Sequence, residues 1–433
     1  MRNALSEERA VWIVLEHGGS ASEEWVRMAR AIRGSGGPEC MPRSELADRG
    51  DFRCVLLDAS GQLLFAKPFN SIFAEWATIA EAQTQTRSFT ESVLVPEPLV
   101  PVHLCVERRG KTGSFEPLYE AELDLSALAE PEPWLAREVI VLKSTGPARE
   151  RVDLALIGDG YADGQRERFV EACETLIEHV FSTEPYRSRA ESFNVRAIFA
   201  PCSESGISDP STQTQRATPL GTTYGALGLD RYVLPFDDHG MRRMLDGVPC
   251  DAVLVVCNSD KYGGGGLFNR FTVVAGHNPE LRYLAVHELG HSFGGLADEY
   301  YAATVPYATP AVQVEPWEPN VTPMLDGARA LKWRALISPD VPIPSPWVKE
   351  RYEEATRMIA ETPNERKQRA TREAEILASD PLIGCVGAFE GAMYRSSGMY
   401  RPEVRCLMFN QLAEGFCHVC RAAIERRIEH FTG

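Results

Sequence analysis

The 433-residue chain is long for one domain and comfortable for two or three. Hydrophobic residues at 44% and charged residues at 24% supply material for a sizeable core. The net charge of −16 argues against the clustered basic surface that nucleic acid or an anionic membrane needs, so neither is expected as a partner.

No apolar run approaches the ~20 residues that span a bilayer, and WIVL (12–15) is too short for a signal-peptide core. That balance favours a cytoplasmic over a secreted location. EEWVRMARAIR (23–33) has a helical look and GSGGPE (34–39) reads as a loop. Over 50–125, short apolar runs alternate with turn residues, as in FRCVLLDASGQLLFAKPF and VHLCVERRGKTGSF. That rhythm predicts an antiparallel β-sandwich. Prolines cluster at 127–136, which places an N-terminal domain over 1–130, a linker over 131–150 and a second domain over 151–433.

VDLALIGDG (152–160), FNVRAIFA (193–200) and DAVLVVCN (251–258) are continuous apolar runs, as buried strands are. RERFVEACETLIEHVF (166–181) carries Phe169, Cys173, Leu176, Ile177 and Val180 at helical spacing. Strands alternating with helices predict a layered α/β domain, giving an α+β multidomain chain overall. YGGGG (262–266) lacks the ending of a phosphate loop and reads as a mobile cleft rim, whereas RFTVVAGH (270–277) alternates like an edge strand. LRYLAVHELGHSF (281–293) is a helix. The charged stretch 347–378 predicts one or two solvated helices broken near Thr362–Pro363, in a surface insertion or lid over about 345–380.

On the helix at 281–293, His287 and His291 share one face and can reach one ion. Glu288 stands beside them, placed to take a proton from an activated water. Gly294-Gly295 fits a helix stop that turns the chain back toward the metal. Asp298 is the favoured third ligand, Glu299 the alternative or a support for a ligand, and Glu390 a distant candidate. Seven cysteines are scattered, which suits a reducing compartment. Cys385, Cys406, Cys417 and Cys420 are grouped and leave three readings open: disulfides, reduced thiols or a structural metal.

HELGHSFGGLADEY (287–300) resembles the motif of metallopeptidase family 64, the IgA-peptidase family of bacterial zinc endopeptidases. The resemblance extends to IGDGY (157–161), FNV (193–195), YGGGG (262–266), GAFEGAMY (387–394), YRPEVRCLM (400–408) and FCHVC (416–420). LLFAKPFNSIFAEW (63–76) and RSFTESVLVPEP (87–98) resemble the family's N-terminal β-sandwich. It implies a zincin-like, metzincin-type catalytic domain with one catalytic Zn2+ held by His287, His291 and Asp298, with Glu288 as general base. Ala297 stands where metzincins carry their third ligand, so Asp298 comes one residue late. Met408 is a candidate for a methionine turn beneath the site, and Tyr300, Tyr394 and Tyr400 are candidate donors to an oxyanion. The expected reaction is peptide-bond hydrolysis on a protein or peptide bound extended along a strand edge. A zinc amidase acting on cell-wall peptides and a non-catalytic zincin shell are the alternatives. No residue pattern encodes recognition of an antibody hinge.

Overall fold

A computed structural model describes residues 4–45, 48–131, 134, 136–301, 314–325, 327–357, 360 and 362–433. At the N-terminus, β1 (Leu5–Gly19) lies between β2 (Glu24–Arg33) and β5 (Arg87–Pro98) in an antiparallel sheet. β3 (Phe52–Leu57) and β6 (His103–Arg109) are central in a second antiparallel sheet, flanked by β4 (Leu63–Phe69) and β7 (Phe115–Glu122). Alternate residues of both sheets, Val11, Ile13 and Leu15 from one and Phe52, Cys54 and Leu56 from the other, meet in one core. The short helix α1 (Ile72–Trp76) precedes β5.

The stretch 23–33 is a strand and not the expected helix. Trp25, Val26, Met28 and Ile32 of β2 sit opposite Gly18, His17, Leu15 and Trp12 of β1. The ladder offered by a fifteen-residue strand outweighs the helix propensity of Met, Ala and Arg. The expected boundary at 127–136 falls partly on residues 132–133 and 135, outside those described.

The rest of the chain is built on one mixed sheet of β8 (Glu138–Lys143), β9 (Val152–Asp159), β10 (Phe193–Phe199), β11 (Ala252–Cys257), β12 (Gly264–Leu267) and β13 (Phe271–Ala275). The strand order is β12-β13-β11-β9-β10-β8, with the four inner strands parallel and both edges antiparallel. Leu154, Leu156, Leu254 and Val256 face helices α2 (Arg166–Phe181), α4 (Leu281–Ser292) and α7 (His418–Thr432). Ala155, Ile157, Val253 and Val255 face α3 (Asp238–Leu245) and the N-terminal Trp12, Phe73 and Trp76. Both faces are therefore covered, which is why these strands read as unbroken apolar runs.

Residues 270–277 are not the sheet edge. The outer strand is β12, formed by the glycine run expected to be a mobile rim. Its glycines let the strand approach α4: a Cβ on Gly266 would lie 2.6 Å from the carbonyl oxygen of Glu288. The charged stretch forms α5 (Lys349–Thr356) and α6 (Pro363–Ala378), with Thr362 and Glu365 closing a capping box at the predicted break. It is more than a solvated insertion, because Tyr352, Ile376 and Leu377 join the main core. The hairpin of β14 (Phe389–Ala392) and β15 (Arg395–Arg401) follows. No helix of the described residues is long and apolar enough to cross a membrane.

Glu45 ties the two parts together. It is fully buried and meets Arg427 of α7, Lys67 of β4 and Asn269. Burial alone pushes its carboxyl up, yet Arg427 and Lys67 hold it well below the usual value near 4.5. Its contribution is therefore full above pH ~4.5 and fades as the pH falls. Glu45→Ala strands a buried Arg427, and urea denaturation at pH 7 should show a loss of about 3–5 kcal/mol. A loss under about 1 kcal/mol would assign the pair the weight of a surface contact.

Candidate metal centre

Helix α4 presents His287 and His291 one turn apart, and their imidazole Nε2 atoms lie 3.2 Å from each other. Each ring is fixed from behind. His287 Nδ1 lies 3.2 Å from the Leu407 carbonyl oxygen, and His291 Nδ1 lies 2.7 Å from that of Leu296. These contacts select the tautomer that leaves both Nε2 atoms as acceptors.

The helix stops at the double glycine. Gly295 N–H donates to the His291 carbonyl and Leu296 N–H to that of Gly290, with Gly295 in the left-handed region at φ +65°. Asn320 then grips the returning chain, accepting from Ala297 N–H and donating to the Ala297 carbonyl, both at 2.9 Å. The next residue, Asp298, places Oδ1 3.2 Å from the Nε2 of each histidine. Tyr394 donates its hydroxyl to the other carboxylate oxygen.

The three donor atoms thus form a triangle with 3.2 Å sides. Bonds of ~2.0–2.1 Å to a tetrahedral zinc would set such donors about 3.3 Å apart. Asp298 Oδ1 is buried and makes no aligned hydrogen bond among the described residues. Electrostatics agree. Burial pulls the His291 imidazole down, but Asp298 overrides it and raises the group to about 10, while the histidines hold Asp298 well below the carboxylate range. The site is short of one positive charge, and two nitrogens and an oxygen suit zinc as donors.

Glu288 lines the same cleft, of about 240 Å3, with Arg231, Tyr262, Tyr283 and Tyr300. Burial raises its carboxyl, opposed by the nearby histidines. The N-terminal part contributes Asn70 and Glu75 to the cleft wall. Tyr300 stacks on His287 with ring planes 18° apart. Met408 runs beneath α4, its sulfur 2.9 Å from where a Cβ on Gly290 would stand.

Other candidates lie elsewhere. Tyr400 sits in β15, paired with Glu390 across the hairpin, and is not among the residues lining the cleft. Glu390 is bound to Lys349 at 2.7 Å. Glu299 is fully buried and points away from the histidines, toward Cys406, Cys417 and Cys420. The eleven cysteines are unbridged in the structure; Cys406, Cys417 and Cys420 lie together, and Cys385 stands apart from them. The sequence reading missed Arg231, Tyr262, Tyr283 and Glu75. Two carried a local signal: Tyr262 opens the glycine run read as a cleft rim, and Tyr283 lies four residues before His287 on the same helix face.

The hairpin turn that supplies Tyr394 is unusual. Met393 and Tyr394 both have positive φ, at 46° and 61°, in a two-residue turn that ordinarily takes Asn-Gly. Met393 N–H donates to the Asp298 carbonyl and Tyr394 N–H to that of Tyr300, so the strained turn is held by the loop it serves.

The family model for IgA peptidase M64 matches residues 140–428, and that for the peptidase M64 N-terminus matches residues 4–120. Comparison with curated proteins gives no match.

The contact of β12 with α4 makes a stability prediction. Gly266→Ala should destabilise the fold by about 1–3 kcal/mol in urea denaturation, since backbone has to move to admit one methyl. A change within ~0.5 kcal/mol of zero would show that β12 does not constrain the helix.

Proposed function

The chain belongs to the IgA peptidase M64 family, a metallopeptidase family, and on that premise we propose that it is a zinc-dependent endopeptidase with Glu288 as its general base. His287, His291 and Asp298 are the ligands in this reading. The observation that carries it is the triangle of donors around a buried, unbonded carboxylate oxygen.

A zinc ion held by His287, His291 and Asp298 would supply Lewis acidity toward a water and the scissile carbonyl. Glu288, one residue from His287 and in the same cleft, takes a proton from the attacking water and passes it to the leaving amine. Its partly buried position keeps the carboxyl receptive to that proton. Tyr394 donates to Asp298 and acts as a positioning residue, and in this reading Tyr300, which lines the cleft beside His287, serves the reacting carbonyl. The substrate lies extended beside β12, whose Gly264 and Gly266 line the cleft with bare backbone. The zincin-like arrangement is supported by a mixed sheet whose antiparallel edge strand runs alongside the metal-bearing helix.

Glu288→Gln should keep its zinc and lose casein turnover by about 10²–10⁴-fold. Asp298→Ala should be purified with its zinc at the histidine pair depleted. Undiminished turnover in Glu288→Gln, or after exhaustive chelation, would overturn the reading. Turnover of purified peptidoglycan with casein left intact would move the chain to the cell-wall amidases.

A further inference from the structure

Behind Asp298 lies a second group of metal-binding side chains. Glu299, Cys406, Cys417 and Cys420 offer one oxygen and three sulfurs that all lie within 4.8 Å of one another, and all four residues are buried. We propose that these four residues form a second, structural zinc site.

The spacings fit that ion. Zinc–sulfur bonds of ~2.3 Å at a tetrahedral centre separate two sulfurs by about 3.8 Å and a sulfur from an oxygen by about 3.5 Å. Cys406 Sγ and Cys420 Sγ are 3.8 Å apart. Glu299 Oε1 is 3.2 Å from Cys420 Sγ and 3.9 Å from Cys417 Sγ. The sulfurs also receive backbone N–H groups as thiolates do. Cys417 N–H donates to Cys406 Sγ at 3.3 Å, and Cys420 N–H to Cys417 Sγ, which caps α7, at 3.4 Å.

A second observation concerns the acid. Glu299 is fully buried, and its Oε2 has no hydrogen-bond partner among the described residues. A buried carboxylate without a cation is strongly disfavoured. A disulfide would join two of the thiols and leave the third thiol and Glu299 Oε2 outside the bond, with Asn320 Nδ2 donating to Oε1 at 3.0 Å. Zinc binding instead releases three thiol protons to solvent and uses every member of the group. The fully buried Arg401 adds a balancing positive charge nearby.

The site would fasten the part of the chain that delivers the third ligand. Glu299 follows Asp298 directly, and its N–H donates to the Met408 carbonyl. Cys406 precedes Leu407, whose carbonyl fixes His287. The site itself stands independently of the catalytic reading; only its effect on Asp298 rests on it.

Zinc content of the full chain, purified under reducing conditions, tests this together with cobalt substitution. Wild type should hold two zinc ions per chain. His287→Ala/His291→Ala, which leaves every cysteine in place, should keep one, and its cobalt form should show thiolate-to-cobalt charge-transfer absorption. Glu299→Gln in that background should change the band and weaken zinc retention several-fold against a chelator. One ion in both wild type and the double-histidine variant would uphold this site and count against the catalytic one. No zinc and no thiolate band in a folded double-histidine variant would overturn the proposal, as would a disulfide between any two of Cys406, Cys417 and Cys420 in peptide mapping of protein prepared without reductant.

Discussion

Two imidazoles and a carboxylate brought within 3.2 Å of one another need a positive charge between them. Much of the chain is arranged around that need. Each donor is gripped from its far side: the histidines by the carbonyls of Leu407 and Leu296, the acid by Tyr394. The grips come from three separate segments, so the convergence belongs to the tertiary structure and not to the helix alone.

Close packing sets the tolerances. β12 can run beside Glu288 only because Gly266 has no side chain, and Met408 can pass beneath α4 only because Gly290 has none. Asp298 and Glu299 are neighbours whose side chains diverge, one toward the histidine pair and one toward the three thiols. Gly266 and Gly290 serve here by leaving room for close neighbours, whereas Gly295 also supplies a left-handed φ.

What could be read from the sequence follows from range. The histidine pair, the adjacent acid and the glycine stop are local features, fixed by the helical period and by turn chemistry. In the structure Asp298 stands beside the histidines while Glu299 turns toward the thiols, an arrangement in keeping with a tight return that carries a short acid. Strand β2 was misread because its pairing with β1 decides its conformation. β12 and β13 were confused because edge or interior is a property of sheet order, which no local pattern encodes. Tyr400 was a candidate donor alongside Tyr300 and Tyr394, yet it sits on β15 away from the cleft lining, and Arg231 and Glu75 reach the cleft from remote segments with no local mark. The Met393–Tyr394 turn breaks the usual residue preference, and that kind of local conflict is expected beside a functional site.

The sharing of one sheet between two cores has a consequence for how the molecule can be divided. Ala155, Ile157, Val253 and Val255 are covered in part by Trp12, Phe73 and Trp76. A chain truncated just before β8 would bare that face to water and lose Asn70 and Glu75 from the cleft wall. The N-terminal sheets are therefore less an appendage than half of the peptidase's own shell. Loss of the N-terminal part would therefore expose apolar surface as well as open one wall of the cleft.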